Sequence, residues 1–247
     1  MVEASSPETT SGSQLFPLVP TRTRIYRDHG SGTISGTAAR DLHKWLMSRL
    51  PQLGEAGRKV DSPRARAQLQ WQRAGNILAV RTRGDITLET VSSDRVALLH
   101  EREDTVPALG TVLTIDVARQ YTPRVEVDPA ARALLESLGL GHEADKTRAK
   151  PVPVPDDRLE RWASDLLARH LGDAVGLLSA ARCPDVILSH RFPNRERVPA
   201  AQITARVTHA CSPGSQGHEL LAKCIATGLG RARNYGLGMI LIPSAQA

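Results

Sequence analysis

The chain has 247 residues, 40% of them hydrophobic, which is enough to bury a core in one large domain or two small ones. Lys and Arg total 32 against 26 for Asp and Glu, a net charge of +6, and most of the excess is arginine, whose planar fork grips two phosphate oxygens at once. A polyanionic partner is therefore favoured. No apolar stretch approaches the roughly 20 residues that a membrane span needs.

Residues 1–13 are rich in Ser, Thr and Glu and predict a disordered start, with no basic-then-apolar leader pattern, so a cytoplasmic location is expected. QLFPLVPTRTRIY predicts an interrupted first strand, its prolines suiting an edge or a bulge. In SGTISGTAARDLHKWLMSRLP, Leu42, Trp45, Leu46 and Leu50 recur at helical spacing, and Pro51 ends the run. RAQLQWQRAGNILAVRT reads as two strands joined by a tight turn at Ala74-Gly75-Asn76, and GTVLTIDVARQY as a further strand. The first half, 14–140, thus fits one βαββαβ ferredoxin-like unit. Residues 141–156 are charged and then proline-rich, as a linker would be. The second half, 157–247, opens with a helix over DRLERWASDLLARHLG. A long basic hairpin follows in DVILSHRFPNRERVPAAQITARVTHA, then a helix in GHELLAKCIATGLG and a closing strand in GMILIP.

Cys183, Cys211 and Cys224 are far apart and form no C-x-x-C pair, so neither zinc nor a disulfide framework is indicated. The histidines show no H-E-x-x-H or H-x-x-E-H spacing. No metal and no small-molecule cofactor is expected.

The most specific segment is GLGRARNYGLGMILIP, in which Gly228, Gly230, Gly236 and Gly238 bracket Arg231, Arg233, Asn234 and Tyr235. Glycine permits backbone dihedrals that other residues avoid and lets a phosphate approach bare N–H groups. A dinucleotide-binding loop competes poorly, because its G-x-G-x-x-G precedes a helix and tens of further residues. Here nine residues follow Gly238, and they read as a strand. A Walker-type loop fails for want of a G-K-[S/T] ending. HRFPNRERVP is a second basic patch, with Arg191, Arg195 and Arg197 close together. Aromatics are 3% of the chain, too few for base stacking to dominate. Phosphate contacts to a folded hairpin, read by shape, fit better.

A helix followed by G-x-G-R-A-R-x-Y-G-x-G and a strand ending in proline resembles the signature of the CRISPR repeat-RNA endoribonucleases of the RAMP superfamily. The likeness is greatest to the branch serving type I-E systems, or to its type IV relative. The resemblance implies an α+β fold of two tandem ferredoxin-like (RRM-like, βαββαβ) domains, with the glycine-rich turn packed between them beside the RNA. It also implies that the basic hairpin enters a groove of the repeat stem. The first helix of the type I-E branch carries a catalytic Tyr-x-x-His pair. Here Arg40-Asp41-Leu42-His43 stands in that place, so His43 falls on the histidine and Arg40 on the tyrosine.

Residues three apart share a helix face, so Arg40 and His43 can address one phosphate. Histidine titrates near neutral pH and can move a proton. Arginine keeps its proton and suits a phosphorane's charge. Arg22 and Arg24 on the first strand would add charge, and Tyr26 is a candidate for the missing hydroxyl. The implied activity is metal-independent cleavage of CRISPR precursor RNA to a 2′,3′-cyclic phosphate and a 5′-hydroxyl. The enzyme would then remain in an effector complex with other CRISPR subunits. Two further readings stay open: a catalytically silent repeat-RNA-binding subunit, and an unrelated basic α+β enzyme that uses the turn for a small phosphate ligand.

Overall fold

The computed structural model describes residues 20–29, 34, 36–51, 64, 67–86, 88, 96–121, 133, 136–137, 139, 151–189 and 196–243. The segment 1–13, residues 141–150, and Arg191 and Arg195 of the basic hairpin lie outside the described residues. Among the described residues, no helix is long and apolar enough to cross a membrane.

The first unit comprises β1 (Thr21–Asp28), α1 (Ala39–Met47), β2 (Gln70–Ala74), β3 (Ile77–Arg83) and β4 (Val96–Glu103). Its antiparallel sheet has the order β2-β3-β1-β4. The β2–β3 loop is the expected tight turn, and Gly75 takes the positive φ of 58° that a two-residue hairpin loop demands. Leu42 and Leu46 bury one face of α1, and Leu50 follows just past its end, in a core with Leu69, Trp71, Leu78 and Val80.

The second unit comprises β5 (Val112–Ala118), a short pair of β6 (Gln120–Tyr121) and β7 (Val152–Pro153), then α2 (Leu159–Leu171) and β8 (Val175–Ile187), and finally β9 (Arg197–Val207), α3 (Gln216–Thr227) and β10 (Ile240–Leu241). Its main sheet has the order β10-β5-β9-β8. In both four-stranded sheets the fourth strand of the unit lies beside the first, and the third lies between first and second. That is the order of a βαββαβ unit.

The sheets change over between Glu103 and Val112, not in the proline-rich stretch. Val112–Ala118, read from sequence as part of the first half, pairs with β9 and β10. The alternation of Leu113, Ile115 and Val117 announces a strand with one buried face, but it does not say which core receives it. That core holds Ile203, Ala205, Leu167 and Leu171. The true fourth strand of the first sheet is β4, an edge strand whose Leu98 and Leu99 are exposed, so it lacks the apolar alternation that would have announced it.

The sheet face opposite α1 carries polar residues that meet the second unit. Arg81 is fully buried and forms an ion pair with buried Asp104 at 2.9 Å. It also donates to Thr23 Oγ1 at 3.1 Å and, across the junction, to the carbonyl oxygens of Ile225 at 3.2 Å and Ile240 at 3.0 Å. Gln70 Nε2 donates to the Ile225 carbonyl at 2.7 Å. Leu188, Val198, Ala200 and Leu237 of the second unit complete the first unit's core. Replacing Arg81 with Met leaves Asp104 buried and unpaired, so a denaturant titration should show a loss of about 3–5 kcal/mol. The double replacement Arg81→Met/Asp104→Leu should recover most of it.

Candidate nucleic-acid interface

The glycine-rich turn starts where α3 stops. Ser215 caps the start of α3, its Oγ accepting from the His218 N–H at 3.1 Å. Gly228, Gly230, Gly236 and Gly238 all take positive φ, between 75° and 82°. At two of them a side chain is also sterically excluded. A Cβ on Gly238 would sit 2.1 Å from the Leu229 carbonyl oxygen, and one on Gly236 would sit 2.5 Å from the Trp71 ring. The loop is closed by the Leu229 N–H to the Gly238 carbonyl at 2.7 Å, and tied to β5 by the Gly238 N–H to the Asp116 carbonyl at 2.6 Å. Arg233 Nη1 bonds the Thr227 carbonyl at 2.7 Å. The N–H groups of Gly228, Leu229, Tyr235 and Gly238 are spent on protein carbonyls, so the expected cradle of bare amides is narrower than the glycine count suggests. Arg231 and Asn234 are the exposed side chains of the turn.

The single helical turn Arg233–Tyr235 inside this loop packs on α1 and β2. There the turn joins the first helix. His43 is half-buried, and its Nδ1 has no hydrogen-bond partner among the described residues. Burial first, and then the Arg64 guanidinium, hold its pKa below the usual histidine value. Arg64 is half-buried as well, and its Nε is also unpartnered among the described residues. Its pKa is lowered by burial and then by Arg233, and no carboxylate acts to restore it. His170, near the end of α2, is lowered by burial, then by Arg169 and Arg233. Three basic side chains from α1, the 64 region and the turn thus converge, with no counter-charge acting on His43 or Arg64 among the described residues. An oxyanion is the class of ligand whose charge such a group would complement. Arg64 was not singled out from the sequence. Its cue is the preceding Ser62-Pro63, a helix-start signature, followed by Arg64 and Arg66.

The other expected residues are disposed differently. Arg40 lies on α1 beside His43, but its guanidinium is ion-paired with Glu196, and this contact, with a hydrogen bond to Tyr235, raises its pKa. Its backbone N–H reaches the Leu188 carbonyl at 3.3 Å. The hydroxyl that meets Arg40 is therefore that of Tyr235, which the sequence placed in the turn without a role. Tyr26 is 3% exposed within the core, and burial pushes its phenol pKa up. Arg22 and Arg24 share Glu101 of β4 at 3.2 and 3.0 Å, and Arg24 also bonds Thr82 at 3.1 Å. None of these three pairs with Arg40 or His43 among the described contacts. Arg197 is exposed at the start of β9.

No family model matches the chain, and no curated protein matches it in sequence. Solved structures share its fold. The CRISPR-associated protein Cas6e from Escherichia coli K-12 aligns with a TM-score of 0.53 at 12% identity, covering 90% of this chain and 100% of that one. The CRISPR endoribonuclease Cse3 bound to a 19-nucleotide RNA gives 0.59 at 14% identity, covering 92% and 99%. Thermus thermophilus Cse3 bound to an RNA representing a pre-cleavage complex gives 0.57 at 13% identity, covering 91% and 100%. The chain has the α+β fold of these CRISPR proteins over nearly its whole length, the fold that the resemblance in sequence implied.

The depressed pKa of His43 has a consequence for stability. Between its folded value and the ordinary 6.5, the unfolded chain binds more protons, so stability falls as the pH is lowered through that window. Denaturation midpoints followed from pH 7.5 down to 5 should decline less steeply for His43→Gln than for the wild type.

Proposed function

We propose that this chain is a CRISPR repeat-RNA endoribonuclease that binds the stem-loop of the precursor transcript and cuts it to guide RNA without a metal ion. The supporting observation is the group of His43, Arg64 and Arg233, without a counter-charge on His43 or Arg64 among the described residues, built where α1 meets the glycine-rich turn, on a fold shared with RNA-bound Cse3. Neutral His43 takes the proton from the 2′-hydroxyl, whose oxygen attacks the adjacent phosphorus. The bond to the 5′-oxygen breaks, and that oxygen leaves with the proton that His43 has taken up. The products are a 2′,3′-cyclic phosphate and a 5′-hydroxyl. Arg64 and Arg233 face the charge that gathers on the phosphorane, where positioned donors act most strongly. Arg231, Asn234 and Arg197, with Arg191 and Arg195 of the hairpin, hold the stem by its backbone. The product guide stays bound and joins an effector complex in the cytoplasm.

Arg40 favours a second reading. It occupies the place of the family's tyrosine and is engaged by Glu196, as a binding subunit without cleavage would tolerate. Incubating labelled repeat RNA in EDTA decides between them: cleavage with a cyclic-phosphate end carries the first, and a mobility shift without cleavage carries the second. On the first reading, His43→Ala lowers the single-turnover rate by ~10²–10⁴-fold with binding retained.

The turn's exposed cation gives a separate test. Arg231→Ala should weaken binding and reduce the slope of log K against log salt by about 1. An unchanged slope would show that Arg231 meets no phosphate.

A further inference from the structure

Beside Tyr235 and the start of α1 lies a cavity of about 330 Å³ between the two units, lined in part by Ala39, Trp71, Arg73, Asp116, Asp185 and Tyr235. None of the chemistry above uses it. Its volume is at the small end of ligand pockets, which run from roughly 300 Å³ upwards, so it suits a single planar group and not a stem. Ala39 and His43 are four residues apart on α1 and share a face, about 6 Å apart along the axis. The cavity therefore opens within one nucleotide of the phosphate site.

Its lining carries two carboxylates, Asp116 and Asp185, against one guanidinium, Arg73. Cys183, also in the lining, has its thiol pushed up to about 11, by burial first and then by Asp116, with Arg119 opposing and Asp185 adding a smaller contribution. Asp116 is itself raised by burial, although Gln72 Nε2 at 2.6 Å and Gln202 Nε2 at 3.1 Å donate to it. Arg73, the cation in the lining, directs Nη1 to the carbonyls of Ile34 and Thr37. Carboxylates repel a phosphate but accept from N–H donors. Trp71 is 2% exposed, and its indole N–H has no partner among the described residues. A buried donor in that condition is costly, and an acceptor on a ligand relieves it. Trp71 and Tyr235 also give the cavity aromatic walls, the common setting for an unstacked base.

We infer that this cavity receives one unpaired nucleobase carrying an exocyclic amine, from a nucleotide next to the phosphate at His43. The amine donates to the carboxylate side of the cavity, and a ring nitrogen or carbonyl accepts from Trp71. Adenine, guanine and cytosine meet this requirement and uracil does not. The inference rests on the RNA-binding reading above, and its test separates the two.

Binding of repeat hairpins is measured with a single abasic nucleotide at each unpaired position flanking the stem. One position should weaken binding about tenfold, as expected for loss of a stacked base. At that position an amine-free analogue (purine for adenine, hypoxanthine for guanine, uracil for cytosine) should weaken wild-type binding but not further weaken Asp185→Asn. Should Asp185→Asn fail to fold, the wild-type comparison of amine-bearing and amine-free RNAs decides alone. Tight binding of the hairpin with no abasic or amine-free position mattering overturns the base pocket and leaves the RNA reading standing. Failure of the intact hairpin to bind at all overturns both.

Discussion

The arrangement of the molecule depends on one buried guanidinium. Arg81 leaves the first sheet and donates to the carbonyls of Ile225 and Ile240, which lie just before and just after the glycine-rich turn. A single side chain thus pins both ends of that turn to the first unit. Apolar contact between the units is non-directional and could be satisfied by a family of docking angles. Donors aimed at two particular carbonyls, with Asp104 and Thr23 holding the guanidinium from behind, admit one. Burying the ion pair contributes little net stability, since desolvation offsets the attraction. What it contributes is register, and the site at α1 follows from that register.

The arginines of this chain sort by whether a carboxylate answers them. Arg22 and Arg24 have Glu101, Arg40 has Glu196, Arg81 has Asp104 and Arg119 has Asp156. Each of these guanidiniums meets a carboxylate of the protein itself. Arg64 is different. It is desolvated, faces Arg233, and depresses the neighbouring histidine. A protein tolerates such a cluster when a ligand supplies the opposite charge, and the folded state without ligand bears the cost meanwhile. Net charge alone did not distinguish these two classes of arginine. Their partners do.

Much of this was legible in the sequence because it lay in local patterns. Leu42 and Leu46 marked the buried stripe of α1, Leu50 its continuation past the helix end, and Gly75 the hairpin loop. Pairings between distant segments were not legible. Nothing in VLTIDVA says that it crosses to the second sheet, and nothing in VALLHERE reveals an edge strand exposed along most of its length. The same limit applied to the site. His43 and the turn could be named from local sequence and resemblance. Arg64 joins them only through the tertiary fold, and Tyr235 rather than Tyr26 comes to Arg40 for the same reason.

The glycines of the turn carry a different meaning from the one their spacing first suggests. Gly236 is there so that Trp71 can lie against the backbone, and Gly238 so that the loop can close on Leu229. Both serve the docking of the turn, while the positive charge comes from arginines between them. That division bears on His43. In the free protein, burial and Arg64 keep its imidazole neutral, the state required of a base. A phosphate placed beside Arg64 and Arg233 would cancel the repulsion that holds the pKa down, and the imidazolium becomes easier to form just as a proton is taken up. In the proposed reaction, the substrate's own charge thus helps convert the histidine from acceptor to donor, which no fixed carboxylate in that position could do without raising the pKa permanently.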